Sequence, residues 1–264
     1  MNIALSTVCL RDLSWQDVFR CAVESGYTAV ELLMIQGWRH LQPGEVPACE
    51  VREEAARCGL RIIAVHAGGL DGATDESLGA TVEYIDRVSA FALEAGVPMV
   101  NFNGGLTPAD TPRGSFLRRI GDTLEQYESK LAGSGLRFTV ENHFGYQLET
   151  TDDYRAVFGR LKDARQVGIT LDTGHFTAAG VDMPAFVREF GEHIFHVHMK
   201  DHIGTRSVAL GKGETDNRAV VAALREQNYG GDISVELEVH DRENSSRYAR
   251  EALPYVRNLL EETP

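Results

Sequence analysis

Four β-prone runs in the second half of the chain end in carboxylate or imidazole side chains. At or just beyond the ends of these runs lie Glu141, Asp172, His198 and one of two acids, Glu236 or Glu238. Hard divalent cations prefer carboxylate oxygen, and an imidazole ligand shifts the preference toward Mn²⁺, Co²⁺ or Zn²⁺. Clustered carboxylates also repel one another unless a cation lies between them. A single acid at a strand end is more often a helix cap or a salt bridge, but four such positions together predict a divalent metal site.

The run at 194–200 alternates polar and apolar residues with a period of two. His196, His198 and Lys200 share one face, whereas Phe195, Val197 and Met199 share the other. Because alternate residues of a strand point to opposite faces, the apolar set is expected to pack against helices and the polar set to point inward. His198 is nearer the carboxyl end and is the predicted metal ligand. His196 is expected to lie deeper, as a hydrogen-bonded residue of the interior.

The elements that must position these residues alternate along the whole chain. Short β-prone runs are followed by longer amphipathic stretches, a pattern typical of parallel strands with helical crossovers. The predicted strands are 3–8, 29–33, 61–66, 99–103, 137–142, 167–171, 194–199 and 233–237, and the predicted helices are 14–25, 44–58, 75–95, 111–132, 151–161, 183–190, 215–226 and 244–261. Ser14 and Thr215 are expected to be helix N-caps, and Gly26, Gly59, Gly96 and Gly135 to end helices.

Eight strand–helix units without a composition shift or linker predict an α/β fold, a (β/α)8 TIM barrel, with residues 1–264 as a single domain. An open, doubly wound sheet is the alternative. In a barrel the loops after the strands converge on one mouth, and the chemistry is expected there.

Composition restricts the partners. The formal net charge is −13, and no basic patch is evident, which argues against nucleic acid and against an anionic membrane surface. No apolar run has transmembrane length, and the start of the chain does not resemble a signal peptide. The four cysteines are scattered, which favours reduced thiols and a cytoplasmic location. A homodimer or homotetramer is expected.

Other polar and aromatic residues fall near predicted strand ends and in the loops after them, where a small carbohydrate-like substrate would bind. The candidate substrate-binding residues are His66, Asn103, Glu31, Arg206 and Trp38. For three of them a structural role is the alternative: Glu31 as a structural acid at a strand end, Trp38 as a loop anchor and Arg206 as a solvated surface residue.

With these residues in place, the chain resembles the xylose isomerase-like barrels, which include ketose 3-epimerases, hydroxypyruvate isomerases, inosose dehydratases, dehydroshikimate dehydratases and, more distantly, endonuclease IV. The resemblance spans nearly the whole chain and is most specific at 140–142, 168–175, 196–201, 210–213 and 233–236. It implies that Glu141, Asp172, His198 and Glu236, rather than Glu238, hold one divalent metal ion (Mn²⁺, Co²⁺, Mg²⁺ or Zn²⁺). It further implies that His175 contacts substrate and that His66 binds substrate or metal.

The three-zinc site of endonuclease IV is not matched. Asn103 stands where that family has a histidine, and 205–207 lack the expected aspartate and histidine. DNA repair is therefore disfavoured, in agreement with the acidic charge.

The expected chemistry is isomerisation or epimerisation of a small sugar, sugar phosphate or keto-polyol. The metal would stabilise an enediolate while Glu141 and Glu236 act as general base and acid. The alternative is dehydration of a keto-polyol, with His175 or His66 protonating the departing hydroxyl.

Overall fold

The computed structural model describes residues 1–37, 40–161 and 164–263. Eight parallel strands close into a barrel in the order β1-β10-β7-β6-β5-β4-β3-β2, which confirms the predicted TIM barrel and excludes the open sheet. The barrel strands are β1 Asn2–Ser6, β2 Ala29–Leu33, β3 Arg61–Leu70, β4 Met99–Gly104, β5 Arg137–Glu141, β6 Val167–Asp172, β7 Ile194–Met199 and β10 Asp232–Val235. Two short strands, β8 Asp201–Ile203 and β9 Arg206–Val208, form an antiparallel hairpin directly after β7.

The helices are α1 Trp15–Glu24, α2 Ala48–Arg57, α3 Asp75–Ala95, α4 Arg113–Leu131, α5 Thr151–Phe158, α6 Thr173–Ala179, α7 Met183–Phe190, α8 Asn217–Glu226 and α9 Ser245–Glu262. Apolar residues on their inner faces, such as Val18, Val88, Ile120 and Val256, are fully buried in the core. Among the residues that the structure describes, none of the helices has the length and apolar content needed to cross a membrane.

Most helix boundaries agree with the sequence prediction to within a few residues. α2 and α4 begin later than predicted, directly after Pro47 and Pro112, because proline is favoured at a helix start and disfavoured in the interior. Ser14 caps α1 as predicted, with its side chain accepting a hydrogen bond from the backbone N–H of Asp17. The prediction for Thr215 is wrong, since Asp216 caps α8.

Two elements near the predicted site were missed. α6 begins immediately after β6, and the β8–β9 hairpin follows β7. The first turn of α6 lies so close to the end of β7 that a Cβ on Gly174 would be 2.6 Å from the Cβ of Lys200 and 2.7 Å from the Cδ2 of His202. Glycine at 174 thus allows the two elements to approach each other.

Candidate metal centre at the barrel mouth

Four buried side chains converge at the mouth, the end of the barrel where the strands have their carboxyl ends. Glu141 ends β5, Asp172 ends β6, His198 lies in β7, and Glu236 directly follows β10. The Nδ1 atom of His198 is 2.7 Å from Glu141 Oε1, 2.6 Å from Glu236 Oε2 and 3.8 Å from Asp172 Oδ2. One ligand atom from each of the four lies within 4.8 Å of the others. These residues are called the four-residue cluster below.

The donor set and its electrostatics fit a divalent cation. Asp172 Oδ2 and Glu236 Oε2 are buried and accept no well-oriented hydrogen bond from any described residue, although Lys200 Nζ lies 3.2 Å from the first and His198 Nδ1 lies 2.6 Å from the second. Buried carboxylate oxygens without hydrogen bonds are costly. Burial, together with the Glu141 and Glu236 charges and despite the Lys200 ammonium, raises the pKa of Asp172 well above its usual range. A cation among these oxygens would relieve both costs, and three oxygens with one nitrogen suit Mn²⁺, Co²⁺ or Zn²⁺.

Local hydrogen bonds fix the position of Asp172. The Asn142 side chain accepts a hydrogen bond from the Asp172 backbone N–H at 2.8 Å and donates one to the Asp172 carbonyl at 2.9 Å. Asp172 is also the N-cap of α6, because its Oδ1 accepts a hydrogen bond from the backbone N–H of His175 at 2.7 Å. One oxygen is therefore used for the helix, and the other, Oδ2, remains for the cluster.

Glu31 lies below the cluster and not at the rim. Its Oε2 accepts hydrogen bonds from His198 Nε2 at 2.8 Å and from His196 Nε2 at 3.0 Å, and Asn101 Nδ2 donates to its Oε1 at 3.3 Å. The carboxylate is 0% exposed, which leaves no surface for the substrate hydroxyl expected from the sequence. His196 occupies the deeper, hydrogen-bonded position predicted for it.

His66 contacts the cluster through Glu141. Its Nδ1 accepts a hydrogen bond from the Gly68 backbone N–H at 3.2 Å, and its Nε2 lies 3.1 Å from Glu141 Oε2. The neutral ring thus carries its proton on Nε2 and donates it to the carboxylate. His198 and His66 hold the pKa of Glu141 well below its usual range despite its burial.

Lys200 is a residue of this site that the sequence reasoning did not assign to it. Its ammonium lies 3.2 Å from Asp172 Oδ2, 3.1 Å from Glu236 Oε1, 2.9 Å from Glu238 Oε2 and 2.8 Å from His175 Nε2. The side chain is only 1% exposed. The inward alternation of 196, 198 and 200 was the available signal, because it directs all three side chains to the same face.

His175 lies beside Lys200, above the cluster. Since an ammonium only donates, Nε2 of His175 accepts and the ring proton is on Nδ1, which is buried and has no partner among the described residues. Burial and the nearby Lys200 charge lower the pKa of His175 well below its usual value. His175 is therefore a neutral donor in this arrangement, with its Nδ1–H available to an oxygen acceptor.

Aromatic rings line one side of the mouth next to His175. The His143 ring packs against Tyr146 at a centroid distance of 3.8 Å and against His175 at 3.6 Å. Phe144 lies 5.3 Å from the His175 ring, and His202 approaches it edge-on at 5.6 Å. These rings were not predicted from the sequence, because they come from the segment after β5 and from the β8–β9 hairpin after β7, whose packing has no periodic signal.

The remaining predicted residues are dispersed. Asn103 is in β4, with its Cα in register with Glu141, and is 9% exposed beside the cluster. Arg206 is exposed in the β8–β9 hairpin. Trp38 lies outside the described residues. The structure thus brings His66 and His175 into contact with the site and leaves Arg206 on the surface.

Comparison with known proteins agrees with this fold. A model of the xylose isomerase-like TIM barrel family matches residues 19–259. An inosose dehydratase of Mesomycoplasma hyopneumoniae (strain J) is 26% identical over 147 residues, which cover 48% of this chain and 49% of that protein. The chain thus matches about half the length of this curated relative.

Two solved structures are similar over nearly their whole length. The IOLI protein with a binding zinc atom gives a TM-score of 0.86 at 17% identity, covering 100% of this chain and 99% of the other. A D-tagatose 3-epimerase-like protein gives a TM-score of 0.81 at 23% identity, with 99% of both chains covered. At such identities the likeness shows a common fold.

Proposed function

The chain belongs to the xylose isomerase-like TIM barrel family, and from that premise we propose that it is a divalent-metal-dependent isomerase or epimerase of a small sugar, sugar phosphate or keto-polyol. The observation that carries the proposal is the convergence of Glu141, Asp172, His198 and Glu236, in which one oxygen each of Asp172 and Glu236 accepts no hydrogen bond from the described residues. These four residues would hold the ion. When bound, a divalent cation polarises a substrate carbonyl and stabilises the negative charge that proton removal creates.

Two carboxylates are placed to move the proton. Glu141 and Glu236 each direct one oxygen toward His198 Nδ1, while the second oxygen meets a different group: His66 Nε2 at 3.1 Å for Glu141, and Lys200 Nζ at 3.1 Å for Glu236. We assign the proton transfer to these second oxygens, Glu141 Oε2 and Glu236 Oε1. Since they come from strands on either side of β6 and β7, one would remove a proton and the other would return one.

A dehydratase is the second candidate, favoured by the inosose dehydratase match and by one feature of the site. The Nδ1–H of His175 has no acceptor among the described residues and would donate to a departing hydroxyl. Proton removal beside the carbonyl would be the same first step in both reactions, and the fate of that hydroxyl separates them.

The test is hydrogen exchange in deuterated water. Metal-loaded protein is incubated with ketoses, ketose phosphates and inososes, and NMR follows deuterium entry, new stereoisomers and loss of water. We expect exchange next to the carbonyl with at least one substrate class, with isomer formation for the first candidate and an unsaturated ketone for the second. Absence of exchange with every substrate class would count against both.

Two matched variants test the assignment of the base. Glu236→Gln should abolish exchange while the protein stays folded, and Glu238→Gln should leave measurable exchange, because Glu238 is 31% exposed and contacts Lys200 rather than His198. The opposite result would move the catalytic role to Glu238.

A further inference from the structure

His198 is shared by two groups of side chains that face opposite edges of its ring. Nδ1 faces the oxygens of Glu141, Asp172 and Glu236, whereas Nε2 faces Glu31. Glu31, His196 and the Nε2 edge of His198 are called the lower group. Its three side chains also have the residue types and proximity of a metal site. The question is which group takes an ion and what the other one does.

Hydrogen bonding distinguishes the two groups. In the lower group Glu31 Oε2 accepts hydrogen bonds from His198 at 2.8 Å and from His196 at 3.0 Å, and Glu31 Oε1 accepts one from the Asn101 amide at 3.3 Å. Asn101 is held in turn by the Thr139 hydroxyl, which donates to its Oδ1 at 3.3 Å. Both oxygens of Glu31 are therefore satisfied, whereas in the four-residue cluster Asp172 Oδ2 and Glu236 Oε2 accept no hydrogen bonds from described residues. The ion belongs with the unsatisfied oxygens.

The contact with Glu31 also determines which nitrogen of His198 carries a proton. A carboxylate oxygen only accepts, so an imidazole nitrogen 2.8 Å away must present its N–H. Without a metal ion, Nδ1 also presents an N–H, because it lies 2.7 Å from Glu141 Oε1, and the ring is then an imidazolium. A cation held by the cluster would replace this Nδ1 proton, while the contact with Glu31 keeps the proton on Nε2. The neutral ring would then offer the lone pair of Nδ1, the atom that faces the cluster. The buried negative charge of Glu31 on the other side of the ring also raises the basicity of Nδ1, which makes it a stronger ligand for a cation.

We propose that Glu31 is a positioning residue for the metal site: it holds the His198 ring and fixes its proton on Nε2, so that Nδ1 is the ligand atom. This inference rests on the proposed metal site and deepens it. The lower group is then a hydrogen-bonded tether and holds no ion of its own. His196 contributes by holding Glu31, while the direct contact between Glu31 and His198 sets the ligand.

The experiment measures metal binding by the full chain, using Zn²⁺ and Co²⁺ alone. Glu31→Gln keeps the shape of the side chain and removes its charge, and we expect the affinity to fall about 10- to 100-fold, the usual effect of losing such a partner. The visible spectrum of bound Co²⁺ should change with it. Glu83→Gln, the same substitution at an exposed position of α3, should bind like the wild type. His196→Asn should weaken binding less than Glu31→Gln, because the contact between Glu31 and His198 remains.

A measurement on the wild type makes the test independent of whether the variants fold. With an NMR-active cadmium isotope bound and the histidine nitrogens labelled, we expect coupling between the metal and His198 Nδ1, one ion per chain, and a proton on Nε2. Coupling to Nε2, or a second ion coupled to His196, would overturn the proposal. So would wild-type affinity in a folded Glu31→Gln variant. If the wild type bound no divalent ion at all, the proposed function would fail first, and that result is distinct from the others.

Discussion

Removing the Lys200 ammonium should destabilise the metal-free protein strongly. Lys200→Met keeps an unbranched apolar stem and removes the charge that pairs with Asp172, Glu236 and Glu238 at 2.9 to 3.2 Å. Asp172 and Glu236 are 0% and 6% exposed, so the variant leaves two buried acids without their ammonium partner. Asp172, whose pKa is already raised by burial and by the neighbouring acids, is neutralised by a proton, and Glu236 keeps an uncompensated buried charge. Breaking a buried pair from one side costs about 3–5 kcal/mol. The third acid, Glu238, is 31% exposed and adds little because solvent screens it.

The assay is urea unfolding followed by circular dichroism, at neutral pH after removal of metal with a chelator. A loss of about 3–5 kcal/mol in the free energy of unfolding corresponds to a Tm lower by roughly 6–20 °C for a chain of this size. The matched control is Lys130→Met. Lys130 pairs with Asp86 at 2.7 Å, but the two side chains are 57% and 39% exposed, and such a pair contributes about 0–1 kcal/mol.

The comparison between the two lysines is the decisive result. If Lys200→Met lost no more stability than Lys130→Met, the buried ammonium would not be compensating the carboxylates, and the reasoning on charge balance at this site would be refuted.

Three further predictions concern metal, acid and packing. Adding Zn²⁺ to chelator-treated protein at about 100 times its dissociation constant should raise the free energy of unfolding by about 2.7 kcal/mol, seen as a higher Tm; an unchanged Tm over a full titration would count against a metal site. Arg113 holds the pKa of the buried Asp153 below its usual value despite desolvation. The ionised Asp153 therefore stabilises the folded protein at pH values above the pKa that Asp153 has in the unfolded chain. This stabilisation is lost as the pH falls through the pKa that Asp153 has in the folded protein. Asp153→Asn should therefore lower the free energy of unfolding by about 1.5–3 kcal/mol at neutral pH. Urea unfolding should show that the difference between wild type and variant shrinks below about pH 4. A difference that stayed constant with pH would contradict the stabilising role of the ionised carboxylate. Gly174→Ala should lower the free energy of unfolding by about 1–3 kcal/mol, because the new Cβ would lie 2.6 Å from the Cβ of Lys200. The control is Gly79→Ala inside α3, where open space surrounds the position. This variant should be neutral or stabilising in the same unfolding assay.

The sequence was sufficient for the fold class because strands and helices alternate with different hydrophobic periods. The predicted element boundaries that were wrong are those set by local interactions such as helix caps and turns, which hydrophobic periodicity does not show. The strand predicted to reach Val8 ends at Ser6, where a 3₁₀ turn begins. α6 was missed because its first residues follow the metal-site aspartate directly, and its start depends on Asp172 acting as an N-cap.

For the site, the sequence by itself determined the residue types at the strand ends and, through the period of two, that His196, His198 and Lys200 face one way. Only the tertiary structure decided their depth and partners. Glu31 is separated from His198 by 167 residues, and whether it lies at the rim or below His198 depends on the relative position of β2 and β7 across the barrel. The same holds for Lys200, whose four partners come from β6, α6 and the segment after β10. The period of two within a strand determines the direction in which each side chain points. The closure of the barrel determines which residues of distant strands lie at the same depth.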